Sequence, residues 1–130
     1  MKAYFGVGVG MLVGTVLGAA AVTGLHAQAK PPAYVVAEID VTNQDGFVKE
    51  FAPLAVKALG ANGAGYKAIA RGGKTASIEG APPKSRIVIN AFANMDAALA
   101  AYNSEDYKKA REVGNKYGKF RLYAVEGVAN

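Results

Sequence analysis

The chain has 130 residues, with 15 Lys and Arg against 10 Asp and Glu for a formal net charge of +5, which allows one modest domain once an N-terminal segment is set aside. It has no cysteine, and its single histidine, His26, precedes that domain; disulfides, thiol chemistry, imidazole ligation of zinc or haem, and Ser-His-Asp or Cys-His catalysis therefore lack the residues they need. The basic residues are interleaved with acidic ones, the pattern of solvated faces and not of a nucleic-acid track, so no nucleic acid, no metal and no cofactor is expected.

Residues 1–29 read as a leader. Met1-Lys2 is a positive start, Tyr4 to Val22 is uncharged and largely apolar, and Ala27-Gln28-Ala29 has the small-x-small pattern of a signal peptidase site. The apolar run is longer than the about 7 to 15 residues of a usual signal core and approaches a membrane span. Gly6, Gly10, Gly14 and Gly18 would line one smooth helix stripe. Two readings follow: cleavage after Ala29, which makes the domain periplasmic or secreted, or an uncleaved anchor that holds it outside the cytoplasm. In the second, residues 1–29 are the only membrane contact.

Lys30-Pro31-Pro32 with Ala33 is a stiff linker, and the domain spans residues 34–128. Tyr34 to Val41 alternates, with Val35, Ala37, Ile39 and Val41 on one face and Tyr34, Glu38 and Asp40 on the other, a half-buried strand. Asn43 is the expected cap of a helix carrying Phe47, Phe51, Leu54 and Leu59 to an end near Gly60, with a kink at Pro53. Tyr66 to Ala70 is predicted as a second strand, turned at Gly72-Gly73 into a short hairpin partner from Thr75 to Glu79. The tetrapeptide from Arg71 to Lys74 is a turn on this reading, not a phosphate loop.

Arg86 to Phe92 is predicted as a central strand, with Ile87, Ile89 and Ala91 opposing Arg86, Val88, Asn90 and Phe92. Asn94 should cap one helix through Tyr102, and Ser104 with Glu105-Asp106 a second, ending near Tyr117. Lys119 to Val125 closes the order as a strand. This order is that of an α+β, ferredoxin-like split βαβ sandwich, an antiparallel sheet with helices on one face. The uncovered face points to a homodimer.

Ala33-Tyr34-Val35-Val36, Arg71-Gly72-Gly73, Glu79-Gly80, Arg86, Phe92, the stretch Tyr102-Asn103-Ser104-Glu105-Asp106-Tyr107, Arg111 and Glu126-Gly127-Val128 together resemble the domain of unknown function 1330 family over almost all of Ala33 to Val128. The resemblance implies a dimeric α+β barrel. It carries no agreed activity, although the fold resembles that of small cofactor-free monooxygenases. The chain departs from the usual family pattern in its leader and in the small residues of Lys67 to Ala70.

With Val35, Ala37, Ile39, Ile87, Ile89, Phe120 and Leu122 turned to the helices, period two sends Glu38, Asp40, Arg86, Asn90, Arg121 and Tyr123 to the open face. Charges buried there in a dimer must pair or meet a polar ligand. The candidate site is thus a pocket for a small polar or anionic molecule, with Arg71 and Arg86 as anion partners, Tyr102, Tyr107 and Tyr123 as donors, and Arg111 and Glu38 as further ligand-binding candidates. Against it stands a purely structural Glu38 to Arg86 pair across strands. The alternative function is a non-enzymatic structural or interaction module of the cell envelope that acts through dimerisation.

Overall fold

A computed structural model describes residues 30–129; the expected leader, residues 1–29, lies outside them. Four strands form one antiparallel sheet in the order β2-β3-β1-β4: β1 is Ala33–Val41, β2 Lys67–Arg71, β3 Arg86–Phe92 and β4 Gly118–Glu126. The α+β class and the ferredoxin-like layering follow the sequence expectation, with the helices on one face. Among the described residues no helix is long and apolar enough to cross a membrane.

Local side-chain chemistry sets the helix starts. Asn43 accepts from the Gly46 amide at 3.0 Å and opens α1, Gln44–Gly46. Asn94 accepts from Ala97 at 2.9 Å and opens α3, Met95–Tyr102, while Ser104 accepts from Tyr107 at 3.2 Å and opens α4, Glu105–Gly114. Each cap satisfies an amide that has no intrahelical acceptor.

The expected kink at Pro53 takes the form of a change of helical register. Residues Phe47–Phe51 are π-helical, the Ala52 amide reaches back to the Phe47 carbonyl, and Pro53 lies in the first turn of α2, Ala52–Asn62. In a continuous α-helix the proline would leave the carbonyl four residues earlier without a donor. In the first turn of a new register its missing N–H is harmless. Gly60 does not end this helix, which runs on to Asn62, where the Gly63 amide bonds the Leu59 carbonyl at 2.9 Å.

Three other expectations are corrected. Thr75 to Glu79 forms no strand: the chain from 73 to 85 is exposed coil and bends, Ile78 is 97% exposed, and β2 pairs instead with β3. A short polar segment with one large apolar residue has nothing to bury, whereas β3 offers β2 a long apolar partner. The last helix stops at Gly114, and Tyr117 completes a turn by bonding the Gly114 carbonyl at 3.0 Å.

The third correction moves the site. In the register of β1 with β3, Ile39, Ala37, Val35 and Ala33 lie opposite Arg86, Val88, Asn90 and Phe92. Ala33, Val35, Ala37 and Ile39 are buried under the helices, so the inward face of β3 is Arg86, Val88, Asn90 and Phe92, the reverse of the expected one. Both faces of this central strand are apolar, and periodicity alone does not say which is inside. The Ser85 hydroxyl, accepting from the Val41 amide at 2.9 Å and donating to the Ile39 carbonyl at 3.1 Å, holds the start of β3 against β1 in this register. On β4 the expectation stands, with Phe120, Leu122 and Ala124 opposite Ile39, Ala37 and Val35.

Candidate functional site

The inverted strand carries Arg86 and Asn90 into the layer between sheet and helices, where a cavity of about 50 Å³ is walled by Phe47, Phe51, Phe120, Leu122 and the aliphatic residues of α2. Its polar groups come from five places: Arg71 at the end of β2, Arg86 and Asn90 on β3, Tyr66 before β2, Tyr102 on α3 and Tyr107 on α4. The volume is several times what one water needs.

Arg86 is held by shape and not by charge. Its guanidinium carbon lies 5.0 Å from the Phe47 ring centroid, a cation–π contact. Gly72, at φ +63°, lets the backbone pass so close that a Cβ there would stand 2.4 Å from an Arg86 terminal nitrogen. The Arg86 Nε is buried without a partner, and among the described residues no carboxylate pairs with this side chain. Burial pulls its pKa down, and the neighbouring Arg71 pulls it down further. Arg71 itself donates to the Tyr66 hydroxyl at 3.3 Å.

At the other end of the cavity, Asn90 is 4% exposed and donates from its amide to the Tyr102 hydroxyl oxygen at 2.8 Å; the other end of the amide has no partner. Tyr102 packs edge-on against Tyr107 with centroids 4.6 Å apart. Burial pushes the Tyr102 phenol up to about 12, an effect opposed by the Asn90 bond and reinforced by Tyr66. Burial likewise raises Tyr107. Both are neutral hydrogen-bonding groups at ordinary pH.

Arg71, Arg86, Tyr102 and Tyr107 therefore meet, on the helix side of the sheet instead of the open face. Arg111 and Tyr123 do not join them. Arg111 lines an open groove of about 420 Å³ between β4 and helices α3 and α4, where it lies 3.8 Å from the Phe120 ring centroid and donates to Asn115 at 2.8 Å; Tyr123, opposite Val36 in the register, keeps its ring on the open face beside Glu38 and Arg121. Glu38 stays on the open face and pairs with Arg121 at 3.4 Å, so the structural pair expected between Glu38 and Arg86 is replaced by one across β1 and β4. Its register partner on β3 is Ile87.

Sequence reasoning passed over Tyr66 and Asn90 as site residues. Asn90 left a signal, a lone amide in the middle of an apolar strand, which must find a partner if buried. Among the described residues no three His, Cys, Asp or Glu side chains group as a metal site would require.

Solved structures share this architecture. The RPA0582 protein of Rhodopseudomonas palustris, described as of unknown function, matches with a TM-score of 0.57 at 11% identity over 77% of this chain and 83% of that one. SnoaB, a cofactor-independent oxygenase from Streptomyces nogalater, matches with 0.56 at 12% identity over 77% and 96%. An EthD-like protein from Ralstonia eutropha JMP134 matches with 0.50 at 18% identity over 77% and 95%. These are likenesses of fold. No curated protein matches the chain significantly in sequence. A family model does match, across the whole of the sheet and its helices: the chain belongs over residues 32–128 to DUF1330, a domain of unknown function.

Proposed function

We propose that this domain binds a small organic anion between its sheet and its helices. Arg86 carries the reading: a half-buried guanidinium with a partnerless Nε, a second guanidinium beside it and, among the described residues, no acidic neighbour. Withdrawing a charge from water costs several kcal/mol, by the usual estimate of about 3 to 5 for an unpaired buried ion, unless an opposite charge arrives. A carboxylate between Arg71 and Arg86 would relieve both the desolvation and the repulsion. The mostly apolar remainder of the wall suits an apolar body on that anion.

The cavity wall contains no Asp, Glu, His or Lys. With its phenols held neutral, it has no side chain ready to accept a proton near neutral pH, which favours binding over general acid–base catalysis. Any reaction there would draw on the reactivity of the bound molecule, the protein supplying orientation and charge.

Titration calorimetry with butyrate and its neutral analogue butyramide tests the reading. Butyrate should bind at least about tenfold more tightly, the scale of a hydrogen bond to a charged group, and Arg86→Gln should abolish the difference. Equal affinities, or no binding of either, would sink the proposal.

A second observation concerns the opposite face of the sheet. Val36, Ile87, Ile89 and Val125 share the side that, among the described residues, no helix covers, and an apolar face of this kind suits a second copy of the chain. Sedimentation should then give a dimer that Ile89→Asp converts to monomer; a native chain that sediments as a monomer at micromolar concentration would argue the other way. Export belongs to the same proposal, with the domain periplasmic, secreted or held at the membrane by residues 1–29. Intact mass from the producing cell should begin at Lys30, and retention of Met1 would instead favour the anchor. If butyrate binding fails while the dimer holds, the domain is better read as an interaction module of the envelope.

A further inference from the structure

The small cavity and the larger groove are neighbours separated by one layer of side chains. Tyr102, Tyr107 and Leu122 line both. The partition is one side chain thick: the two tyrosine rings meet edge to face, Tyr102 also packs edge-on against Phe92, and the polar bond that the cavity makes to this wall is the one from Asn90 to the Tyr102 hydroxyl. The volumes differ greatly, about 50 Å³ inside against about 420 Å³ outside. An anion whose head fits the cavity has room for a few heavy atoms there, and a larger body must continue elsewhere.

The groove has the chemistry of a place for an apolar tail. Its floor is Val35, Ala98, Leu122 and Ala124, and its rim exposes Leu99 at 48%. Its cations are already engaged, Lys108 with Glu105 at 3.4 Å and Arg111 with Phe120 and Asn115. The groove lining carries Glu112 beside Lys108 and Arg111, whereas the cavity lining on the other side of the wall carries Arg71 and Arg86 with no carboxylate. Head and tail sites are thus sorted by charge across the Tyr102 partition.

We infer that cavity and groove are two halves of one ligand site, filled by a single medium-chain carboxylate whose head lies at Arg71 and Arg86 and whose hydrocarbon tail passes Tyr102 into the groove along β4. This rests on the proposal that the cavity binds an organic anion, and it adds the ligand's length and polarity. The Tyr102 ring must turn aside for the tail to pass, breaking its bond to Asn90. The exposed Leu99 then becomes a specificity residue that touches only the distal part of the chain.

The test compares butyrate with octanoate on the full chain and on Leu99→Trp, which fills the groove from an exposed position and leaves the cavity wall untouched. Octanoate should bind the native chain at least about tenfold more tightly than butyrate, since each added methylene gains burial. In Leu99→Trp octanoate should fall to the affinity of butyrate, while butyrate changes less than about twofold. Octanoate no tighter than butyrate, or an octanoate advantage that survives Leu99→Trp, overturns the bipartite site and leaves the cavity proposal standing. Failure of both acids to bind overturns both. An octanoate carrying a diazirine at its tail gives an independent readout: it should label the segment 98–112, and labelling confined to the open sheet face overturns the inference.

Discussion

Asn90 in the middle of β3 and Tyr102 at the last residue of α3 are joined by a hydrogen bond of 2.8 Å, the amide donating to the phenol oxygen. It ties a central strand to the helix layer at the wall between cavity and groove. Because Asn90 is buried and one end of its amide is already unpaired, losing the phenol leaves it with no partner at all. Tyr102→Phe should lower unfolding free energy by roughly 1–3 kcal/mol, the cost of an orphaned buried polar group. Asn90→Leu combined with Tyr102→Phe should cost clearly less than the sum of the single changes. Urea denaturation of the four proteins checks this, and additive losses would mean that the bond contributes little.

The same phenol sets a pH limit. Tyr102 titrates near 12 in the folded chain, raised mainly by burial, and Tyr107 is raised in the same direction; in the unfolded chain a tyrosine titrates near 10. The unfolded state therefore gives up these protons first. The stabilisation is fully present below about pH 10 and is lost as pH rises towards the folded values, with a slope on the order of 1.4 kcal/mol per pH unit for each proton. Denaturation midpoints measured from pH 9 to 12 should fall, and Tyr102→Phe should flatten that fall by about one proton. An unchanged slope in the variant would show that Tyr102 ionises normally.

Much of the fold was legible where the chemistry is local. Asn43, Asn94 and Ser104 cap helices because each side chain meets an amide three residues away, and the parity of β1 and β4 follows because their outward residues, such as Glu38 and Arg121, are polar. The parity of β3 was not legible. Ile87 and Ile89 on one face are as apolar as Val88 and Phe92 on the other, and the decision rests on contacts distant in sequence: the Ser85 bridge to β1 and the packing of Phe92 between Tyr66 and Tyr102. The residue types of the site are legible in the sequence, but periodicity alone puts Arg86 on the wrong side of the sheet and gives no reason to include the buried Asn90.

Packing at the end of α4 gives a stability prediction independent of any ligand. Gly114 is buried where a Cβ would stand 2.6 Å from the Phe51 ring and 3.1 Å from that of Phe120. These rings belong to the aromatic cluster completed by Phe47, with centroids 5.0 to 6.0 Å apart. The clash falls on rings packed against one another, none of which moves alone, so Gly114→Ala should destabilise by about 1–3 kcal/mol despite the better helix propensity of alanine. A thermal midpoint equal to or above the native one would show that the cluster can yield.

Gly72 and Gly73 separate strain from function at the cavity mouth. Gly72 has φ +63° and its missing side chain makes room for the Arg86 guanidinium, whereas a Cβ at Gly73 would meet nothing within 4 Å. Gly72→Ala should cost about 1 kcal/mol through the left-handed backbone. It should also push Arg86 from its seat over Phe47, because the tip of a long side chain yields more readily than backbone. Butyrate affinity should then drop by more than the stability loss alone would suggest, about fivefold or more if one charge-assisted hydrogen bond is weakened. Gly73→Ala should leave both quantities near native. Calorimetry and denaturation of the pair decide the matter: if Gly72→Ala loses stability but keeps native butyrate affinity, the position of Arg86 does not govern anion binding.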